Sequence, residues 1–176
     1  MTGLDARFGR LTLNLGAGRL VGRNVYRNTF NSFTGADLQL TGSADEALRL
    51  VFLLPHQRRP MAQQEVLDNE FELDRESLDT RLFAATYQKT VATPVLGGDR
   101  SLLEAFAVRL DERDGEGPAR QSANRRLTTL SARLSRTPSP GALDFDVEGG
   151  VQFGQRRRST APLDQRDLDV VAGYVH

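Results

Sequence analysis

Asp144, Asp146 and Glu148 occupy every second position of LDFDVEGGVQFGQRRR, residues 143 to 158, and Leu143, Phe145, Val147, Val151 and Phe153 fill places between and beyond them. Carboxylates two apart on a strand lie about 6.6 Å from one another, a separation compatible with the paired acids of an inverting glycosidase. Catalysis would also need a cleft and an orienting partner, and nothing else in the sequence supplies either. A calcium loop is a poorer fit, because the DxDxDG pattern is absent and a strand does not wrap an ion. His56 and His176 are far apart in the chain and form no ligand spacing. GGDRS at 97–101 is half of a phosphate-binding loop without its lysine or helix. Ser101 and Ser139 have no evident histidine and aspartate companions. No enzyme motif survives, and no cofactor is expected.

Arginine is the other chemistry on offer. Of 23 Lys and Arg residues only Lys89 is a lysine, and they balance 23 Asp and Glu residues. A guanidinium is a planar fork of donors that grips carboxylates and phosphates two bonds at a time. A genome rich in Arg codons would give the same bias without any function. Arg19, Arg23 and Arg27 recur every four residues beside Asn28 and Asn31. They read either as a group that engages anions or as a solvated basic loop pairing with acidic loops such as DNEFELDRE and DERDGE. Zero net charge leaves no general attraction to nucleic acid. Without cysteine there is no disulfide framework and no thiolate metal site.

The elements that must position these groups read as strands at 9–17, 33–42, 46–54, 79–90, 101–111, 126–137, 142–155 and 166–176. Alternation is clearest in Leu11, Leu13 and Leu15 against Arg10, Thr12 and Asn14, in 126–137, and in the carboxylate stretch. Leu82 and Ala84 oppose Arg81 and Ala85, with Phe83 on the polar side. The third segment is apolar on both faces except Arg49, and Glu104 beside Phe106 and Val108 breaks the pattern of the fifth. The segment AQQEVLDNEFELDRESL holds no clean helical period and predicts a loop with a short turn of helix. TGSAD and PSPG are compact turns and ATPVLGGDR is somewhat longer, whereas the connections between them in sequence are long and polar. An antiparallel meander of about eight strands would therefore gather short turns at one end and long loops at the other. The expectation is one all-β domain over 1–176 with no second domain. No run approaches the roughly 20 apolar residues of a membrane helix, but a barrel strand needs only about 9–11.

LTLNLGAGRLVGRNVYRNTFNSFTGADLQLTG resembles the alginate export family of outer-membrane β-barrel porins. The shared order is a strand, a Gly-bounded turn (Gly16 to Gly22), an Arg/Asn-rich segment (Arg23 to Asn31), the Phe33-Thr34-Gly35 step and another strand. DNEFELDRESLDTRLF, VRLDERD, the strand opened by NRRL, and STAPLDQRDLD extend the likeness over nearly the whole chain. The resemblance implies part of a transmembrane barrel in the outer membrane of a Gram-negative bacterium. That barrel would pass an anionic polysaccharide such as alginate, or a small anionic solute, through an Arg-rich lumen. Lumen contacts would come from Arg10, Arg19, Arg23, Arg27, Asn28, Asn31, Arg49, Arg81 and Arg133, with Asp37, Asp144, Asp146 and Glu148 as acidic partners. The expected partners are that solute, outer-membrane lipid and the missing remainder of the barrel.

The chain departs from the family pattern at its start, where MTGLDARFGR is no export signal, at its GYVH terminus, and in having no Trp. These departures predict a fragment of a longer barrel, with its aromatic girdle reduced to Phe33, Phe52, Phe106, Phe153 and Tyr174. Two rivals stand beside this reading. A soluble lipocalin-like barrel binding an apolar ligand would turn Leu11, Leu13, Phe145, Val147 and Val151 inward. An enzyme acting on acidic polysaccharide would use Asp146 or Glu148.

Overall fold

The computed structural model describes residues 3–22, 31–42, 45–57, 59, 63–93, 98–115, 122–161 and 163–176. Its strands are β1 (Gly3–Leu11), β2 (Phe33–Thr41), β3 (Ala47–Pro55), β4 (Thr80–Thr93), β5 (Gly98–Glu112), β6 (Arg126–Arg136), β7 (Phe145–Arg157) and β8 (Asp167–Val175), with one short helix, α1 (Gln63–Leu67), between β3 and β4. They form one antiparallel sheet in sequence order, so every strand pairs with its chain neighbours. The all-β meander anticipated from the alternation is the fold, and α1 is the helical turn expected in AQQEVLDNEFELDRESL. Connections 42–46, 94–97 and 137–144 fall at one end, and 12–32, 56–79, 113–125 and 158–166 at the other. Among the described residues β1 and β8 do not pair with each other, and the sheet is open.

The register sorts side chains between two faces. On β7 the successive residues Val147 and Glu148 are 52% and 3% exposed, and on β6 Leu130 and Ser131 are 45% and 7% exposed. Cross-strand partners keep the same sides, since Leu130 lies opposite Val151, Leu134 opposite Val147, and Arg133 opposite Glu148. The apolar set thus covers the outer, convex face from Leu4 and Phe8 on β1 to Val171 and Val175 on β8. Phe52 and Phe83 meet on it at 5.1 Å between ring centres, tilted by 41°. Serines, amides, acids and Arg49 and Arg133 take the inner, concave face, beside an apolar patch at Val51, Leu53, Leu82, Ala84 and Val108. An apolar exterior around a polar interior is the reverse of a soluble barrel and is the arrangement of a membrane-spanning one. Val147 and Val151 therefore face outward, against the carrier alternative, although Leu11 and Leu13 turn inward as it required.

The largest difference from the sequence reading concerns the first strand. Pairing runs from Gly3↔Thr41 to Leu11↔Phe33, so MTGLDARFGR supplies most of β1. The LTLNL alternation leaves the sheet after Leu11. Leu13, Leu15 and Val21 instead turn onto the concave face and bury with Phe33, Val51, Leu53, Leu82, Ala84 and Val108. This inward segment resolves two irregularities at once. Val51 and Leu53 are apolar because it covers them, while Leu50 and Phe52 face outward, so β3 is apolar on both sides. Phe106 and Val108 share the concave face with Glu104 for the same reason. The girdle assignment also changes: Phe33 and Phe106 are buried, Tyr174 is turned inward, and Phe52 and Phe153 alone of the five face outward, joined by Phe8 and Phe83.

A local turn holds the segment in place, with the Leu15 amide donating to the Val21 carbonyl at 2.9 Å and the Gly18 amide to the Leu15 carbonyl at 2.9 Å. Gly16 sits at φ +55° against the Phe106 ring, where a Cβ would come within 2.5 Å. Gly16→Val places a β-branched residue in a left-handed conformation and overpacks the ring, at an expected cost of about 2–4 kcal/mol. Protease cleavage within 13–22 should rise accordingly, and an unchanged cleavage rate would contradict this packing.

Candidate functional site

Two ion-pair clusters occupy the concave face. In the first, Asp37 on β2 is buried and accepts two bonds from Arg49 on β3, Nε to Oδ1 and Nη2 to Oδ2, each at 2.7 Å. Arg7 on β1 reaches the same carboxylate at 2.8 Å. Arg49 also donates from Nη1 to the Asn14 carbonyl at 3.1 Å, which ties the inward segment to the wall. One acid between two guanidinium groups leaves a positive surplus, and Arg7, half exposed, carries it into the concavity.

The second cluster has the opposite sign. Arg133 on β6 donates to Glu104 on β5 at 2.6 Å and bidentately to Asp146 on β7 at 2.8 Å for each bond. Here one guanidinium is shared by two acids. Beside it Glu148 is buried and accepts the Tyr174 hydroxyl at 2.7 Å, and its Oε2 has no hydrogen-bond partner. The Tyr174 oxygen also lies 2.8 Å from the hydroxyl of Ser131, which donates to the Gly149 carbonyl at 3.0 Å. Tyr174 reaches across β7 because Gly150 stands opposite it, where a Cβ would be 2.9 Å from the ring. Arg19, exposed on the inward segment, lies within electrostatic reach of Asp146 and Tyr174. Between the clusters is a polar niche of about 200 Å³ whose lining includes Gln39, Arg49, Thr86, Gln88 and Glu104.

The residues singled out from the sequence therefore divide. Arg49, Asp37, Arg133, Asp146 and Glu148 share the concave face, and Arg19 stands over it. Asn31 lies at the long-loop end, donating to the Gly22 carbonyl at 3.0 Å. Asp144 is exposed just before β7 begins. Arg23, Arg27 and Asn28 lie outside the described residues. Arg10 and Arg81 depart from their assignment: the register puts them on the convex face, Arg10 in line with Leu4, Ala6 and Phe8, and Arg81 with Phe83 and Ala85. Sequence alternation fixes which residues share a side but not which side is the interior, and Leu82 and Ala84 point inward only because Leu13 and Leu15 cover them. Arg7, Glu104, Ser131 and Tyr174 were missed. Their parity with Asp37, Asp146 and Glu148 appears only once the strands are in register.

At the long-loop end, Asp114 closes the connection from β5 to β6. Arg157 Nη2 lies 2.7 Å from its Oδ2, and the Ser122 amide donates to Oδ1 at 2.9 Å. The guanidinium, and after it the amide, hold this carboxyl below its ordinary value of 3.8. A depressed folded value contributes stability above the ordinary carboxylate range that disappears as pH falls through the depressed value. Protection of the Ser122 amide, its exchange rate taken relative to that of an unstructured amide at the same pH, should therefore fall on acidification in the natural chain. In Asp114→Asn protection should be low and independent of pH, and a persisting acid transition would contradict the assignment.

An open antiparallel wall with lipid-compatible side chains outside, ion pairs inside, and long loops gathered at one end defines the class: a transmembrane β-barrel protein of the outer-membrane type. The chain belongs to the alginate export family, whose model matches residues 2–175. Its role is accordingly in alginate export through an outer-membrane channel. No curated protein and no solved structure matches the chain.

Proposed function

We propose that the concave face is the wall of a lumen through which an anionic polysaccharide passes by diffusion, with no bond made or broken. The observation that carries this reading is the pairing of the concave charges. Each guanidinium is bound to carboxylates of the wall, and the surplus at Arg7 and Arg49 stands across from the acidic surplus at Glu104, Asp146 and Glu148. A uronate carboxylate entering such a lumen exchanges with Asp37 for the forks of Arg7 and Arg49, and Arg19 offers a further contact. Because the wall already satisfies its arginines, each contact is weak, and a chain of weak sites conducts where one deep site would trap. Arg23, Arg27 and Asn28 extend the same basic segment, and the Gram-negative outer membrane is its proposed location.

The sheet is further proposed to be one part of a wider barrel whose remaining strands pair with β1 and β8. An eight-stranded barrel has an interior just filled by side chains, whereas this concavity holds the backbone of residues 13–22 as well. The test is ion selectivity in planar bilayers. Arg7→Glu combined with Arg19→Glu should move the reversal potential toward cation preference and shorten blockade by oligomeric alginate. Selectivity and blockade both unchanged would end the lumen reading.

A further inference from the structure

The inward segment packs on one stretch of the concave wall, the row that holds Val51, Ala84 and Val108 and, beyond it, Leu53 and Leu82. The next two rows toward the short turns are open and polar, with Gln39, Arg49 and Thr86 in one and Ala47, Gln88 and Glu104 in the other. Residues 14–16 border them, which makes the niche of about 200 Å³ between the two ion-pair clusters a recess and not a flat wall. Its two charged side chains are of opposite sign and already engaged, Arg49 with Asp37 and the Asn14 carbonyl, and Glu104 with Arg133. Asp5, in register with Gln39 on the neighbouring strand, adds a further acid beside it. Charge therefore gives the recess no preference for an anion. The groups it leaves uncommitted are neutral: among the described residues, no protein group bonds to the side chains of Gln39, Thr86 or Gln88. Leu15 and Ala47 supply an apolar side.

We propose that this recess is a subsite for one pyranose ring, recognised through its hydroxyl groups and not through charge. A sugar hydroxyl both donates and accepts, as do the amides of Gln39 and Gln88 and the hydroxyl of Thr86. A pyranose also has a face of C–H groups, to which Leu15 and Ala47 are suited. The recess is smaller than the clefts of about 300–1,000 Å³ that take drug-sized ligands, which fits a single ring of a chain passing along the wall. Gln39 follows Asp37 by two residues, about 6.6 Å along β2. A uronate residue whose carboxylate lies at Arg7 thus presents its ring to the recess. The inference rests on the lumen reading and deepens it. Arg7 attracts any anion, whereas a site built to bond hydroxyls rejects an analogue that lacks them.

The test titrates the full chain, held in lipid nanodiscs, with an alginate trisaccharide, with its carboxyl-reduced counterpart and with an oligoacrylate of equal charge. Side-chain amide signals of the glutamines are followed by NMR. Both sugars should shift the Gln39 and Gln88 signals, and the oligoacrylate should leave them in place. Gln39→Met combined with Gln88→Met removes both amides at similar side-chain length. It should weaken trisaccharide binding by about tenfold, as expected for two hydrogen bonds, and leave oligoacrylate binding unchanged. Arg7→Glu should do the converse, weakening the oligoacrylate and sparing the reduced sugar. If the double variant does not fold, the response of the natural chain to the reduced sugar decides the matter. Glutamine signals indifferent to the reduced sugar, or a folded double variant that binds the trisaccharide as the natural chain does, overturn the subsite alone, provided that trisaccharide binding still depends on Arg7. A trisaccharide that does not bind at all overturns the lumen reading and the subsite with it.

Discussion

Val151→Arg is expected to abolish stable insertion, while Gln152→Arg, one residue further on, inserts as the natural chain does. Val151 lies on the convex face opposite Leu130, midway along β6 and β7. An arginine there meets hydrocarbon at a cost of about 2–4 kcal/mol, a large fraction of the net stability of a folded domain. Gln152 points to the concave side, where it donates to the Thr129 hydroxyl at 2.9 Å. A guanidinium at that position reaches water and the acids of the lumen wall. Heat-modifiable migration of the reconstituted variants on gels reports the folded fraction. If the two neighbours behaved alike, the assignment of faces would be wrong.

Removing the guanidinium of Arg133 is the second large effect. Arg133→Ala leaves Glu104 and Asp146 facing each other without their shared cation. Breaking a buried pair by deleting one partner costs about 3–5 kcal/mol. The lower end applies here, because the side chains of Arg133 and Glu104 are 17% and 11% exposed but that of Asp146 is 41% exposed, and water screens the acid left behind. The urea midpoint for unfolding from vesicles should fall by a corresponding amount. Adding Glu104→Gln and Asp146→Asn to Arg133→Ala should recover most of the loss, since the penalty lies in uncompensated charge more than in lost attraction. A triple variant as unstable as the single one would show that Arg133 acts through packing of its stem.

These two expectations depend on different kinds of information. The face on which Val151 and Gln152 separate is legible in the sequence, because period-two alternation is a local property of an extended chain and β7 preserves it from Phe145 to Phe153. The grouping of short turns and long loops is legible for a similar reason: turn residues set the connection, and in a meander successive connections fall at opposite ends. Of the partners of Arg133, Asp146 is among the acids expected on the lumen side, and Glu104 is not legible. Glu104 lies 29 residues away in the chain, and only register brings it opposite.

The first strand shows the limit most clearly. LTLNL alternates as well as any strand here, yet Leu13 and Leu15 have no place in the sheet and are buried against Leu53 and Val108. Alternation specifies an extended backbone with two unlike sides. It does not say whether a neighbouring strand or an apolar patch on the concave wall will be the partner. The same gap turned Arg10 and Arg81 to the outer face, since an arginine near a strand end is compatible with headgroup level as well as with a lumen. The amino-acid sequence by itself determined that this chain forms a meander of two-sided strands with its loops sorted by length. The tertiary structure alone decided which side is inside, which acids each arginine shares, and that residues 13–22 fill the concavity, because those outcomes depend on contacts between segments far apart in the chain.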